Sequence, residues 1–197
     1  MLTEHPKNFH TQLLFIALSL MMSALTATGN AGLEVFGLYS SAVDKGEAWR
    51  LITSNLVHFG WTHTIMNTAA FLLCGYAFFS GYSVWKFLGL FLICCISVGV
   101  GIYYFNPHYA PYAGLSGAIH GLIAAGLLLT REYPGWLRWS AGFLFLGKLF
   151  HENTGYFDTT DLQNLIGAQV AVEAHCYGAL GGLVFIASTK ILALIKH

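Results

Sequence analysis

Six apolar stretches, broken by short polar intervals, dominate this chain. They run over residues 11–28, 63–81, 84–105, 116–130, 136–150 and 172–194. Crossing a ~30 Å hydrocarbon layer takes about 20 helical residues, so stretches of this length predict membrane spans. Composition agrees: 56% of residues are hydrophobic and only 9% are charged, where soluble domains carry about 25% charged residues. The reading is an all-α membrane protein, a bundle of six transmembrane helices forming a single domain over residues 1–197. The fourth and fifth stretches are short for a full crossing, so their surroundings must tolerate a thinned bilayer or water.

Charge sets the orientation. With the N-terminus inside, the cytoplasmic side holds Lys7, Lys86, Arg131, Arg138, Lys190 and Lys196, six of the nine basic residues. The opposite side holds Lys45, Arg50 and Lys148 with seven of the nine acids. That asymmetry obeys the positive-inside rule and predicts both termini in the cytoplasm. The formal net charge is zero, so no basic field points to nucleic acid. The first apolar run lacks a cleavage pattern and reads as a retained anchor. Cys74, Cys94, Cys95 and Cys176 all fall in apolar stretches, as buried thiols rather than a disulfide or metal set. The first outer loop, residues 30–62, is too long for an idle turn and predicts a segment lying partly in the interface. The outer loop over residues 151–171 is acidic, holds Gly155 and Gly167, and reads as a mobile connection.

Polar side chains inside spans are costly and therefore informative. Ser116 opens the fourth stretch near a plausible helix N-cap, after Pro111 and Gly114. His63 and Asn67 open the second, one turn apart on one helix face. His175 opens the sixth, with Gly178 and Gly182 on the same stripe. Depth decides whether these groups can meet. Ser116 to Arg131 and His175 to Lys190 are each 15 residues, roughly 22 Å of helix. Asn67 to Gly81 is 14 residues, roughly 21 Å. Level inner ends would therefore put all three polar groups at one height, roughly 8 Å below the outer edge of a ~30 Å core. Gly117 and Gly121 on one helix, and Gly178 and Gly182 on the other, let the backbones approach closely.

A serine hydroxyl becomes nucleophilic when a base takes its proton, and a neutral imidazole is the usual base. Ser116 and His175 can act as a dyad, with no acid expected at matching depth. His63 and Asn67, with the Ser116 backbone N–H, can hold the oxyanion of a tetrahedral intermediate. One such donor is worth ~3–4 kcal/mol in other acyl-transfer sites. A plain N-cap serine and simple helix packing are the bland alternatives. His151, beside Glu152 and Asn153, reads as a loop residue. A metal held by His63, His120 and His175 lacks a completing Cys or acid, so neither metal nor cofactor is expected. No internal repeat or charged pathway favours a transporter.

Together these residues resemble the rhomboid family of intramembrane serine proteases over nearly the whole chain. The resemblance rests on Trp49–Arg50, His58 with His63-x-x-x-Asn67, Gly114-x-Ser116-Gly117, and Ala174–His175-x-x-Gly178-x-x-x-Gly182. It implies a six-helix core, Ser116 as nucleophile, His175 as general base, and His63 and Asn67 around the oxyanion hole. It further implies a water-filled cavity opening outward, with Trp49, Arg50 and His58 in the first loop's framework. Many rhomboids carry Tyr four residues after the nucleophile, where this chain has His120. The Gly114-Leu115-Ser116-Gly117-x-x-His120-Gly121 pattern and a compact chain without a seventh span are similar to the rhombosortase subgroup of some Gram-negative bacteria. That subgroup is thought to process anchors built from a Gly-Gly motif, an apolar helix and a basic tail. The implied setting is the bacterial inner membrane with the site facing the periplasm, and the implied partners are membrane-anchored substrates and the bilayer itself. His120 would stack on His175, tune it, or make a plain interhelical hydrogen bond. The competing expectation is a catalytically inactive rhomboid-like protein that binds membrane helices.

Overall fold

Helix starts and stops are set by local chemistry. Asn8 caps α1 (Phe9–Ala27), its side-chain oxygen accepting from the His10 and Thr11 amides at 3.1 and 3.4 Å. Ser83 caps α6 (Val84–Phe105) through the Lys86 amide. A computed structural model describes residues 7–195, and every regular element among them is helical. Lys196, assigned above to the cytoplasmic side, lies outside the described residues.

The long first loop is built of three short helices, α2 (Asn30–Phe36), α3 (Ser40–Val43) and α4 (Arg50–Thr53). Then come α5 (Trp61–Phe78), α6, α7 (Ser116–Leu129), α8 (Gly135–Glu152), α9 (Thr160–Ile166) and α10 (Glu173–Ile195). By length and composition α1, α6 and α10 can each cross a membrane, and α7 is a shorter apolar helix. Most boundaries shift by one to three residues from the sequence expectation, and two of the shifts have a clear local cause. α5 stops at Phe78 rather than 81, because the chain turns at Ser80 and Gly81 toward the cap of α6. α8 runs past Phe150 to Glu152. There Asn153 Nδ2 donates to the Leu149 carbonyl at 2.9 Å and Thr154 Oγ1 donates to the His151 carbonyl at 2.7 Å. The 151–171 connection is also not structureless, since α9 lies within it.

The core is aromatic on one side and glycine-tight on the other. Phe15, Phe71, Phe87 and Phe91 bury together where α1, α5 and α6 meet, in mostly tilted and edge-on pairs. α7 makes its most extensive packing with α10. A Cβ at Gly178 would overlap the Gly117 carbonyl, one at Gly182 would overlap the Gly121 carbonyl, and one at Gly117 would lie 2.8 Å from the Ala174 carbonyl. In lipid no hydrophobic drive brings helices together, so such backbone contact supplies the cohesion. α8 contrasts with this. Only Leu149 and Glu152 are buried along it, and its main neighbour is α7. Cys74, Cys94 and Cys95 are buried free thiols as expected, whereas Cys176 is half-buried and accepts from Asn153 Nδ2 at 3.4 Å.

The first loop is pinned rather than loose. Arg50 is buried and donates through Nη1 to the Glu34 and Gly37 carbonyls at 2.9 and 2.7 Å, closing the end of α2. Its Nε and Nη2 hold Glu47 at 2.7 and 2.6 Å. Leu38 and Tyr112 then exchange both backbone hydrogen bonds at 2.9 and 3.0 Å, tying this loop to the segment that leads into Ser116. The Gly114 amide donates to the Ser54 carbonyl at 2.9 Å. Thus Arg50 is a framework residue by its contacts, while the neighbouring Trp49 ring is half exposed.

Candidate active site

Ser116 is the first residue of α7, not its cap. Leu115 takes the cap position without any side-chain hydrogen bond, which leaves the serine hydroxyl free to turn away from its own helix. Its Oγ lies 3.2 Å from His175 Nε2. His175 stands in the first turn of α10, and the α7–α10 glycines bring the two helix starts together. The amides of the first turn of α7 have no intrahelical acceptor, so they remain available as donors.

The expectation that no acid lies at this depth is corrected. Glu152 Oε2 is 2.9 Å from His175 Nδ1, and both groups are buried. The reason is that α8 continues two residues past the expected end of the fifth stretch, so Glu152 belongs to its last turn and not to the loop. The helical ruler used for the other spans places it correctly: Arg138 to Glu152 is 14 residues, roughly 21 Å. Lys148, one turn back on α8, donates to Glu152 Oε1 at 2.6 Å and to His120 Nε2 at 2.9 Å. His120 Nδ1 lies 2.7 Å from the Ser116 carbonyl. The His120 ring stacks on His175 with centroids 3.9 Å apart and planes 14° from parallel.

For an ammonium on Lys148, a carboxylate on Glu152 and a neutral His175, these contacts assign the tautomers. A lysine ammonium only donates, so His120 Nε2 accepts and His120 Nδ1–H donates to the Ser116 carbonyl. A carboxylate only accepts, so His175 Nδ1–H donates to Glu152 and Nε2 is left to accept from the Ser116 hydroxyl. That is the tautomer a general base needs.

His120, Glu152 and His175 bring potential ligand atoms within 4.8 Å of one another. An imidazole binds a metal in its ring plane, and two nearly parallel stacked rings do not aim at a common point. The Lys148 ammonium already bridges Glu152 and His120. The cluster therefore has the geometry of a hydrogen-bond relay rather than of a metal centre.

Ser116 opens onto a cavity of about 280 Å³ whose wall includes His63, Tyr112 and the strap from Gly167 to Ala171. Gly114 has φ +124°, and a Cβ there would lie 2.6 Å from His63 Cε1, so a side chain is excluded twice. His63 packs edge-on to His58, with centroids 4.9 Å apart, and parallel to Phe59. His58 is buried with neither ring nitrogen hydrogen-bonded. Burial, reinforced by His63, pushes its pKa down to about 3. Asn67 is buried one turn further along α5, and its Nδ2 donates to the His63 carbonyl at 3.1 Å. So Ser116, His120 and His175 are joined directly, His63 shares their cavity, and Asn67 supports His63 from below.

Similarity to known proteins identifies the family of the chain. The profile described as "Rhomboid domain" matches residues 45–190. The chain is 36% identical over 123 residues to rhomboid protease GluP of Bacillus subtilis (strain 168), covering 59% of this chain but 24% of that protein. It is 28% identical over 151 residues to the putative rhomboid protease YdcA of the same strain, covering 74% of this chain and 69% of that protein. Rhomboid-related protein 1 of Caenorhabditis elegans is 28% identical over 150 residues, 72% of this chain and 40% of that protein. The chain thus spans about a quarter of the length of GluP and over two thirds of YdcA. With the profile covering the site and most of the helices that build it, the chain belongs to the rhomboid family.

Proposed function

We propose that this protein is an intramembrane serine endopeptidase. It cleaves membrane-anchored proteins within their transmembrane segment, near the periplasmic face of a bacterial inner membrane. The observation that carries the reading is the 3.2 Å hydrogen bond between Ser116 Oγ and His175 Nε2 at the wall of an open cavity. Six spans with both termini cytoplasmic put that cavity on the outer side. In the first step the Ser116 proton passes to His175 Nε2 while Oγ bonds to the scissile carbonyl carbon, and the carbonyl electrons move to oxygen. The Ser116 amide, His63 and Asn67 donate to that oxyanion. His175 then gives its proton to the departing amine nitrogen as the C–N bond breaks. Water from the cavity, deprotonated by His175, hydrolyses the acyl-enzyme and restores Ser116.

A substrate helix enters sideways between α5 and α8. The sparse burial of α8 supports this route, since a helix held mainly by one neighbour separates at low cost. Its end must unwind to reach Ser116, which favours glycine at the cut because glycine disfavours helix by ~1 kcal/mol relative to alanine. The Gly-Leu-Ser-Gly-x-x-His-Gly pattern and its stacked His120 favour a rhombosortase-type anchor of Gly-Gly, apolar helix and basic tail as the substrate. The test is cleavage in liposomes of a single-pass protein carrying such an anchor. Cleavage that Ser116→Ala and His175→Ala abolish supports the reading. Stable binding without cleavage would make the protein a membrane-helix binder instead.

A further inference from the structure

We infer that Glu152, held in register by Lys148, is a positioning residue that sets the tautomer and orientation of His175. This inference deepens the Ser116–His175 reading and depends on it. Glu152 presents two oxygens and divides them, Oε2 to His175 Nδ1 and Oε1 to Lys148 Nζ. Lys148 has donors only, so it always claims an acceptor and never competes for the His175 Nδ1–H. Its second partner, His120 Nε2, fixes the His120 ring that stacks flat on His175. The imidazole of His175 is thereby constrained in its plane by Glu152 and across its face by His120.

The carboxylate takes no proton in this scheme. When Ser116 transfers its proton to His175 Nε2, Nδ1–H stays on the ring and Glu152 accepts a stronger hydrogen bond from the imidazolium. Lys148 prevents a net negative charge from standing at the site before that transfer. The cluster then holds one buried carboxylate and one half-exposed ammonium at rest.

An amide at position 152 tests the assignment, because Lys148 dictates how that amide must face. In Glu152→Gln the lysine holds the amide oxygen and turns the NH₂ toward His175 Nδ1. That donor stabilises the Nε2–H tautomer, which cannot accept the Ser116 proton. Removing the lysine as well, in Lys148→Met/Glu152→Gln, frees the amide to rotate and accept from Nδ1–H. The second substitution should therefore rescue the first.

The measurement is the rate at which a fluorophosphonate labels Ser116, with loss of fluoride, in full-length protein in detergent. It is paired with kcat and KM for a cleaved anchor in liposomes and with the thermal midpoint. Glu152→Gln should lose at least ~10²-fold in labelling rate and kcat while KM stays within about threefold, by analogy with the amide replacement in a serine protease triad. The double variant should recover about tenfold over Glu152→Gln despite equal or lower thermal stability. A purely structural role gives the opposite order, with the double variant folded least well and no more active. Wild-type labelling in Glu152→Gln, or a folded double variant no faster than Glu152→Gln, would overturn the inference while leaving Ser116 and His175 in place. No labelling of the wild type would overturn both readings.

Discussion

Adding one methyl group at Gly178 should disable this protein without removing a single polar group. The Cβ would fall on the Gly117 carbonyl, which is backbone and has no rotamer to yield. α7 and α10 must then part by about 1 Å or more, and overpacking of that kind costs about 1–3 kcal/mol. The functional cost is larger. Ser116 is the residue before Gly117, and His175 sits one turn before Gly178, so the separation acts directly on their contact. At 3.2 Å that bond is already at the long end of the usual range, and another ångström breaks it. A displacement of about 1 Å at reacting atoms costs about 10²-fold in rate. Gly178→Ala should therefore label with a fluorophosphonate about 10²-fold more slowly while its thermal midpoint in detergent falls by only several degrees. Gly147→Ala on α8 is the control, since a Cβ there meets nothing within 4 Å. Wild-type labelling of a folded Gly178→Ala protein would refute the claim that the glycine contact sets the site geometry.

Two further outcomes follow from the first loop and its neighbour. Arg50→Lys replaces a fork that holds the Glu34 and Gly37 carbonyls and Glu47 with a single ammonium. It should cost about 1–3 kcal/mol in thermal unfolding and expose residues 37–49 to protease. His58 has a folded-state pKa of about 3, below the ordinary value near 6.5, so the unfolded chain binds a proton first as the solution is acidified. Its contribution destabilises the fold by about 1.4 kcal/mol for each pH unit below 6.5, down toward 3. His58→Phe keeps the ring but removes the unpaired nitrogens, so its thermal midpoint should fall less between pH 7 and pH 4. An identical acid sensitivity in both proteins would contradict that.

The reach of the sequence differs from residue to residue. Ser116 and His175 stand out in the sequence because both sit near helix starts at equal distances from Arg131 and Lys190, and the structure brings their side chains to 3.2 Å. Glu152 escapes the sequence reading by a boundary error of two residues, which matters because a glutamate two residues outside a span reads as ordinary loop chemistry. The Lys148–Glu152 spacing of one helical turn was the signal that could have kept the helix going. α2, α3 and α4 were not legible, since helices this short are fixed by Arg50 and the Leu38–Tyr112 pairing rather than by their own periodicity. Ser116 stands next to the cap position, held by Leu115, and its hydroxyl contacts His175 rather than its own helix. The stacking of His120 rests on α7 and α10 lying in glycine contact, which a linear pattern conveys only as a possibility among several.

The central claim is that Ser116 is activated by His175, and covalent labelling tests it most directly. Full-length protein in detergent is treated with a fluorophosphonate, and the modified residue is mapped by mass spectrometry in wild type, Ser116→Ala and His175→Ala. One adduct is expected, on Ser116, absent from both variants while their thermal midpoints stay near that of the wild type. An adduct that persists in Ser116→Ala, or a wild type that a second, smaller serine-directed reagent also leaves unmodified, would contradict it.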